Sequence, residues 1–93
     1  MLDHHEISII RETVSPYGPM KLGVFGSHAR NEEGPNSDVD LLVEFSRPIS
    51  LLDLVGLEQT LSELLKKRVE MVTTKALSDR IRQSVMKDLR TLL

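Results

Sequence analysis

The chemistry open to this 93-residue sequence rests first on four residues: Gly26 and Ser27, then, after ten intervening positions, Asp38 and Asp40 on either side of Val39. At average residue usage, chance sets these four types at this spacing in roughly one of a thousand chains this short. Side chains at i and i+2 of a strand share a face, so Asp38 and Asp40 project together while Val39 turns into the core. Two unit charges about 4 Å apart repel by roughly 4 kcal/mol at an effective dielectric near 20, so such a pair either raises one pKa or takes up a cation. With oxygen ligands and a phosphate substrate the expected cation is Mg²⁺, with Mn²⁺ as a substitute.

Gly26 lies where a strand must turn sharply, and Ser27 opens the next segment with backbone N–H groups and a hydroxyl suited to phosphate oxygens. Arg30, one turn further, can add a charge-assisted bond to the same phosphates, whereas the direction of His28 stays open. Glu70 sits between Val69 and Met71, which should face the core, so its carboxylate points as the aspartates do if the strands adjoin. It is the best third acid.

The elements that must position these groups follow from hydrophobic period. Ile7, Ile10 and Val14 have helical spacing and are followed by the breakers Pro16, Gly18 and Pro19, so a first helix covers 3–14. Residues 21–25 form a short apolar strand, and 27–30 begin a brief helix. A polar loop over 31–37 leads to a second strand over 38–45, which the aspartates begin. Ser50 and Asp53 have capping-box spacing, and Leu51, Leu54, Leu57, Leu61, Leu64 and Leu65 line one face of the helix that follows. Residues 68–72 form a third strand. Thr73 or Thr74 caps a last helix carrying Leu77, Ile81, Val85 and Leu89. The order is α-β-α-β-α-β-α, an α/β fold expected to form one domain over 1–93.

Composition narrows the function further. Hydrophobic residues make up 40% and charged residues 28%, as in ordinary globular proteins. No apolar run approaches the roughly 20 residues that cross a bilayer, and the first residues are acids and histidines, so a cytoplasmic location with no membrane role is expected. The absence of cysteine excludes thiolate catalysis and disulfides within the chain. A net charge of −2, with one Tyr and two Phe, argues against polymeric nucleic acid as a partner. His4 and His5 read as a solvated pair, and Lys66, Lys67 and Arg68 as cations suited to the negative end of a helix.

The Gly-Ser-x10-Asp-x-Asp pattern resembles the signature of the DNA polymerase beta-like nucleotidyltransferases. Residues 24–30, 37–43 and 69–73 are similar to the minimal, or MNT, branch, and the resemblance covers nearly the full chain. It implies the nucleotidyltransferase fold, a small mixed sheet flanked by helices, and transfer of a nucleoside monophosphate from a triphosphate to a hydroxyl with release of pyrophosphate. Carried over, Asp38 and Asp40 bind two metal ions, Glu70 binds the catalytic ion and assists deprotonation of the acceptor, and Gly26 and Ser27 hold the β and γ phosphates. The third acid in this branch is often Asp, so Glu70 is one methylene longer. The position of His28 is often Arg or Tyr.

Larger relatives carry extra domains that hold an acceptor, and no such grip is legible in these 93 residues. The expectation is that a second protein presents the hydroxyl. MNT proteins act with HEPN partners as toxin-antitoxin pairs, so the resemblance implies an antitoxin that adenylylates a hydroxyl, a tyrosine, of a HEPN ribonuclease toxin, with ATP as donor. The competing classes are neutralisation by occlusion alone, and transfer to a small molecule or an RNA 3′ end. The short chain and its Leu-rich helix also suggest self-association or docking on a partner.

Overall fold

The first helix begins at a reciprocal cap. In this computed structural model, which describes residues 2–34 and 37–93, Asp3 Oδ1 accepts the Glu6 N–H at 2.8 Å while Glu6 Oε1 accepts the Asp3 N–H at 3.2 Å. That box satisfies two otherwise orphaned donors and starts α1 at His4–Val14. Ile10 and Val14 are buried on its inner face and Ile7 packs beside them. A short 3-10 turn over Ser15–Tyr17 ends at Gly18, whose φ of 68° reverses the chain into β1, Pro19–Phe25.

β1 pairs antiparallel with β2, Val39–Phe45, and β2 pairs parallel with β3, Val69–Thr73. The helix α2, Leu51–Leu65, supplies the crossover that a parallel pair requires. Ser50 caps it by accepting the Asp53 N–H at 3.1 Å. Leu57, Leu61 and Leu65 are buried and Leu54 packs against the core, but Leu51 and Leu64 are exposed, so the apolar face is narrower than its leucines suggest. α2 also covers the outer edge of β3: Ser62 Oγ accepts the Val69 N–H at 3.0 Å and Glu58 Oε2 accepts the Met71 N–H at 2.7 Å. An edge strand otherwise leaves such donors bare.

Three expectations are corrected. The helix expected from Ser27 is a single 3-10 turn, Gly26–His28, because it has no apolar stripe to bury and Asn31 leaves the helical region at a φ of 62°. The last helix, α3, spans Asp79–Asp88 behind Ser78, with a 3-10 turn over Thr74–Ala76 before it, so neither Thr73 nor Thr74 caps it. Leu77 and Leu89 lie just outside α3 and Ile81 is exposed, leaving Val85 as its buried residue. The sheet also gains β4, Arg90–Thr91, antiparallel to β1, which makes the order β3-β2-β1-β4.

The core follows the alternation of the strands. Val24, Val39, Leu41, Val43, Val69 and Met71 meet α1 and α2 on one face of the sheet. Leu42 meets Leu77 and Val85 on the other, with Phe25, Val72 and Leu89 packed around them. No helix among the described residues is long and apolar enough to cross a membrane.

Candidate active site

Parallel pairing of β2 with β3 sets Asp40 beside Glu70 in register, and Val39 beside Val69. Val39 and Val69 point into the core at 0% and 3% exposure. The two carboxylates therefore stand together on the opposite face, the one α3 covers only in part. Asp38 lies immediately before β2, where the Val39 N–H donates to Arg68 O at 2.8 Å and welds the start of β2 to the start of β3.

Gly26 brings the turn onto this pair. Its φ of 74° is strained for any residue with a side chain, and a Cβ there would stand 2.5 Å from Asp40 Oδ2. Two independent constraints thus require glycine at this position: the sign of φ and the approach of the backbone to a carboxylate. The turn closes with the Ala29 and Arg30 N–H groups donating to Gly26 O, each at 3.1 Å. Amides at the first positions of such a turn have no partner within it, which suits them to an anion.

The electrostatics agree with the crowding of acids. Burial raises the Asp40 pKa above its ordinary value of 3.8, and the neighbouring charges of Glu70 and Asp38 raise it further, with His28 and Arg30 working against them. Among the described residues no three acidic or histidine side chains close into a finished metal cage. Arg68 stands at their edge, with a guanidinium nitrogen 3.3 Å from Glu70 Oε1 and Nε 4.0 Å from Asp38 Oδ2.

The flanking candidates are placed differently. Arg30 donates from Nη1 to Asp88 Oδ2 at 2.6 Å and from Nε to Glu32 Oε2 at 3.0 Å, and these carboxylates raise its pKa. His28 is buried, with neither ring nitrogen hydrogen-bonded. Asp38, Asp40, Glu70 and Gly26 are thus brought together, with Ser27 next to Gly26 in the turn, whereas Arg30 is drawn toward the end of α3.

A profile of the nucleotidyltransferase domain family matches residues 7–92. The chain belongs to that family. This nucleotidyltransferase is 38% identical over 78 residues to the protein adenylyltransferase MntA of Thermococcus cleftensis, a match covering 84% of this chain and 79% of that one. A solved structure provisionally described as a minimal nucleotidyltransferase superposes with a TM-score of 0.81 at 34% identity, covering 92% of this chain and 88% of the other. An MNT antitoxin solved in complex with a tri-AMPylated HEPN toxin of Shewanella oneidensis shares the fold at a TM-score of 0.80 and 18% identity, over 99% of this chain and 72% of that chain.

Sequence reasoning misses Arg68 as a neighbour of Glu70 and Asp38, and Glu58 and Ser62 as acceptors for the edge amides of β3. Arg68 carries a signal that the sequence offers: two residues before Glu70 in the strand expected over 68–72, it would share that residue's face.

Proposed function

We propose that this nucleotidyltransferase, acting as one minimal domain in the cytoplasm, is the antitoxin of a HEPN/MNT pair and moves AMP from ATP to a tyrosine hydroxyl of its HEPN toxin. The observation that carries the reading is the alignment of Asp40 with Glu70, with the Gly26 turn packed against the Asp40 carboxylate. The names of the Thermococcus relative and of the Shewanella complex support adenylyl transfer and the class of partner.

In the reaction the acceptor oxygen forms a bond to the α-phosphorus of ATP, the bond from that phosphorus to the bridging oxygen breaks, and pyrophosphate leaves. Glu70 takes the acceptor proton. Gly26 admits the β and γ phosphates, since any side chain there would occupy the space beside Asp40, and Ser27 contributes its amide and hydroxyl. Arg30 adds a charge-assisted bond once it leaves Asp88.

The donor set fits a divalent cation. Asp38, Asp40 and Glu70 offer oxygens alone, and Asp40, whose pKa is raised by burial first and then by the charges of Glu70 and Asp38, is a carboxylate whose charge Mg²⁺ or Mn²⁺ would offset. Bound there, the ions neutralise phosphate charge and polarise the phosphoryl group.

The test is incubation of this chain with labelled ATP, Mg²⁺ and the HEPN partner. Label on the partner with the wild type, and none with the Asp38→Ala/Asp40→Ala variant, is expected. Neutralisation without label would establish occlusion instead, and label on RNA or a small molecule would move the acceptor elsewhere.

A further inference from the structure

Arg68 is tied to the acids by its backbone before its side chain is considered. Its carbonyl accepts the Val39 N–H at 2.8 Å, tying the residue just before β3 to the start of β2, and its side chain reaches the face of Glu70. The guanidinium lies 3.3 Å from Glu70 and 4.0 Å from Asp38 while remaining 75% exposed. Exposed pairs of this kind are weak and easily exchanged. Arg68 thus serves the same carboxylates that a divalent cation would take.

Two other cations of the flanking segments are engaged elsewhere. Arg30 is held by Asp88 and Glu32, and Lys67 Nζ pairs with Glu6 at 2.9 Å. An arginine displaced from Asp38 and Glu70 stays within a side chain's length of the site, where the incoming triphosphate is strongly anionic and matches the fork of a guanidinium.

We infer that Arg68 exchanges partners during loading: it is the counter-ion of Asp38 and Glu70 in the metal-free site, gives way to the divalent cation, and then binds the triphosphate. The inference rests on the proposed metal and nucleotide site. Its two halves have opposite signs. Removing the competing charge strengthens binding of the metal alone, and removing the guanidinium weakens binding of the nucleotide once metal is present.

The experiment measures Mn²⁺ binding calorimetrically at low ionic strength, then binding of a non-hydrolysable ATP analogue at saturating Mn²⁺, on wild type, Arg68→Gln, Arg68→Lys and Asp40→Asn. Arg68→Gln should bind Mn²⁺ up to about five-fold more tightly and the analogue about ten-fold more weakly. Arg68→Lys should restore the competition with Mn²⁺ but recover only part of the analogue binding, since an ammonium lacks the fork. Unchanged or weaker Mn²⁺ binding by Arg68→Gln overturns the counter-ion role, and unchanged analogue binding overturns the transfer to triphosphate. If wild type and Asp40→Asn bind Mn²⁺ equally, the metal site itself is wrong. If Asp40→Asn loses binding while Arg68→Gln binds Mn²⁺ as wild type does, the site stands and the counter-ion role of Arg68 falls.

Discussion

The two faces of the sheet are built from the same strands and behave oppositely. Toward α1 and α2, Val39, Leu41 and Val43 of β2 are each 0% exposed and meet Ile10, Val14 and Leu61, also 0%. Toward α3, only Leu42 of β2 enters a buried cluster, with Leu77 and Val85. Beyond that cluster Asp40 and Glu70 stand half-buried, at a point where closer packing would deprive the acids of both solvent and ligand. Strand alternation lets one residue serve stability and the next serve chemistry. The large apolar cluster on one face is what allows like charges to be crowded on the other.

The contrast breaks most visibly in a matched pair of variants. Leu61→Ala should cost about 2–5 kcal/mol of stability, since a fully buried leucine leaves a cavity that its neighbours fill only in part. Denaturant unfolding measures it, and the fraction that stays folded should keep near-normal activity per molecule. Asp40→Asn should do the reverse, lowering adenylyl transfer by at least about a hundred-fold while leaving the fold intact. A Leu61→Ala protein that is stable yet inactive, or an Asp40→Asn protein that unfolds, would mean that the faces are not separable.

Gly26→Ala tests the junction between the faces. The methyl would stand 2.5 Å from Asp40 Oδ2 on a backbone with a φ of 74°. A loss of about 1–3 kcal/mol from the backbone alone is expected, together with displacement of the Asp40 carboxylate. Activity should therefore fall further than the stability change explains, which parallel melting and transfer assays on one preparation would read out.

The parts legible in the sequence were those in which one local period decides the outcome. Asp38, Val39 and Asp40 state their facing by alternation, and Val69, Glu70 and Met71 repeat the statement one strand away. Three-dimensional pairing was needed only to set Asp40 beside Glu70. What stayed hidden depends on partners remote in sequence. The pairing of Arg30 with Asp88 is such a case, because Asp88, 58 residues on, carries no local mark as its partner. Arg68 already had a sufficient explanation at the end of a helix, so its approach to the acids went unread. β4 is two residues long, too short for a period, and Ile81 keeps helical spacing with Val85 yet faces solvent because α3 buries so narrow a stripe.

A smaller effect is expected where α2 guards the edge of β3. Glu58 Oε2 accepts the Met71 N–H at 2.7 Å, one residue beyond Glu70. Glu58→Ala should cost about 1.5 kcal/mol by leaving that amide without its acceptor. Glu58→Gln, which keeps an acceptor oxygen, should recover most of the loss. Hydrogen exchange at Met71 would show whether the edge has opened.

The smallest effect is a slope with pH. Burial, and then Glu70 and Asp38, raise the Asp40 pKa in the fold above the 3.8 of an ordinary aspartate. Over the interval from 3.8 up to the raised value the native chain holds a proton that the unfolded chain has released, so this group's contribution to stability falls as pH rises through that interval. Asp40→Asn has no such proton. Without metal, the variant should gain stability relative to wild type as pH rises from 3.8 through the raised value, and added Mg²⁺ should narrow the gap by stabilising wild type alone. A difference independent of pH would mean that the acids are too far apart, or too well solvated, to feel one another, and the crowding that suits this face to a cation would be absent.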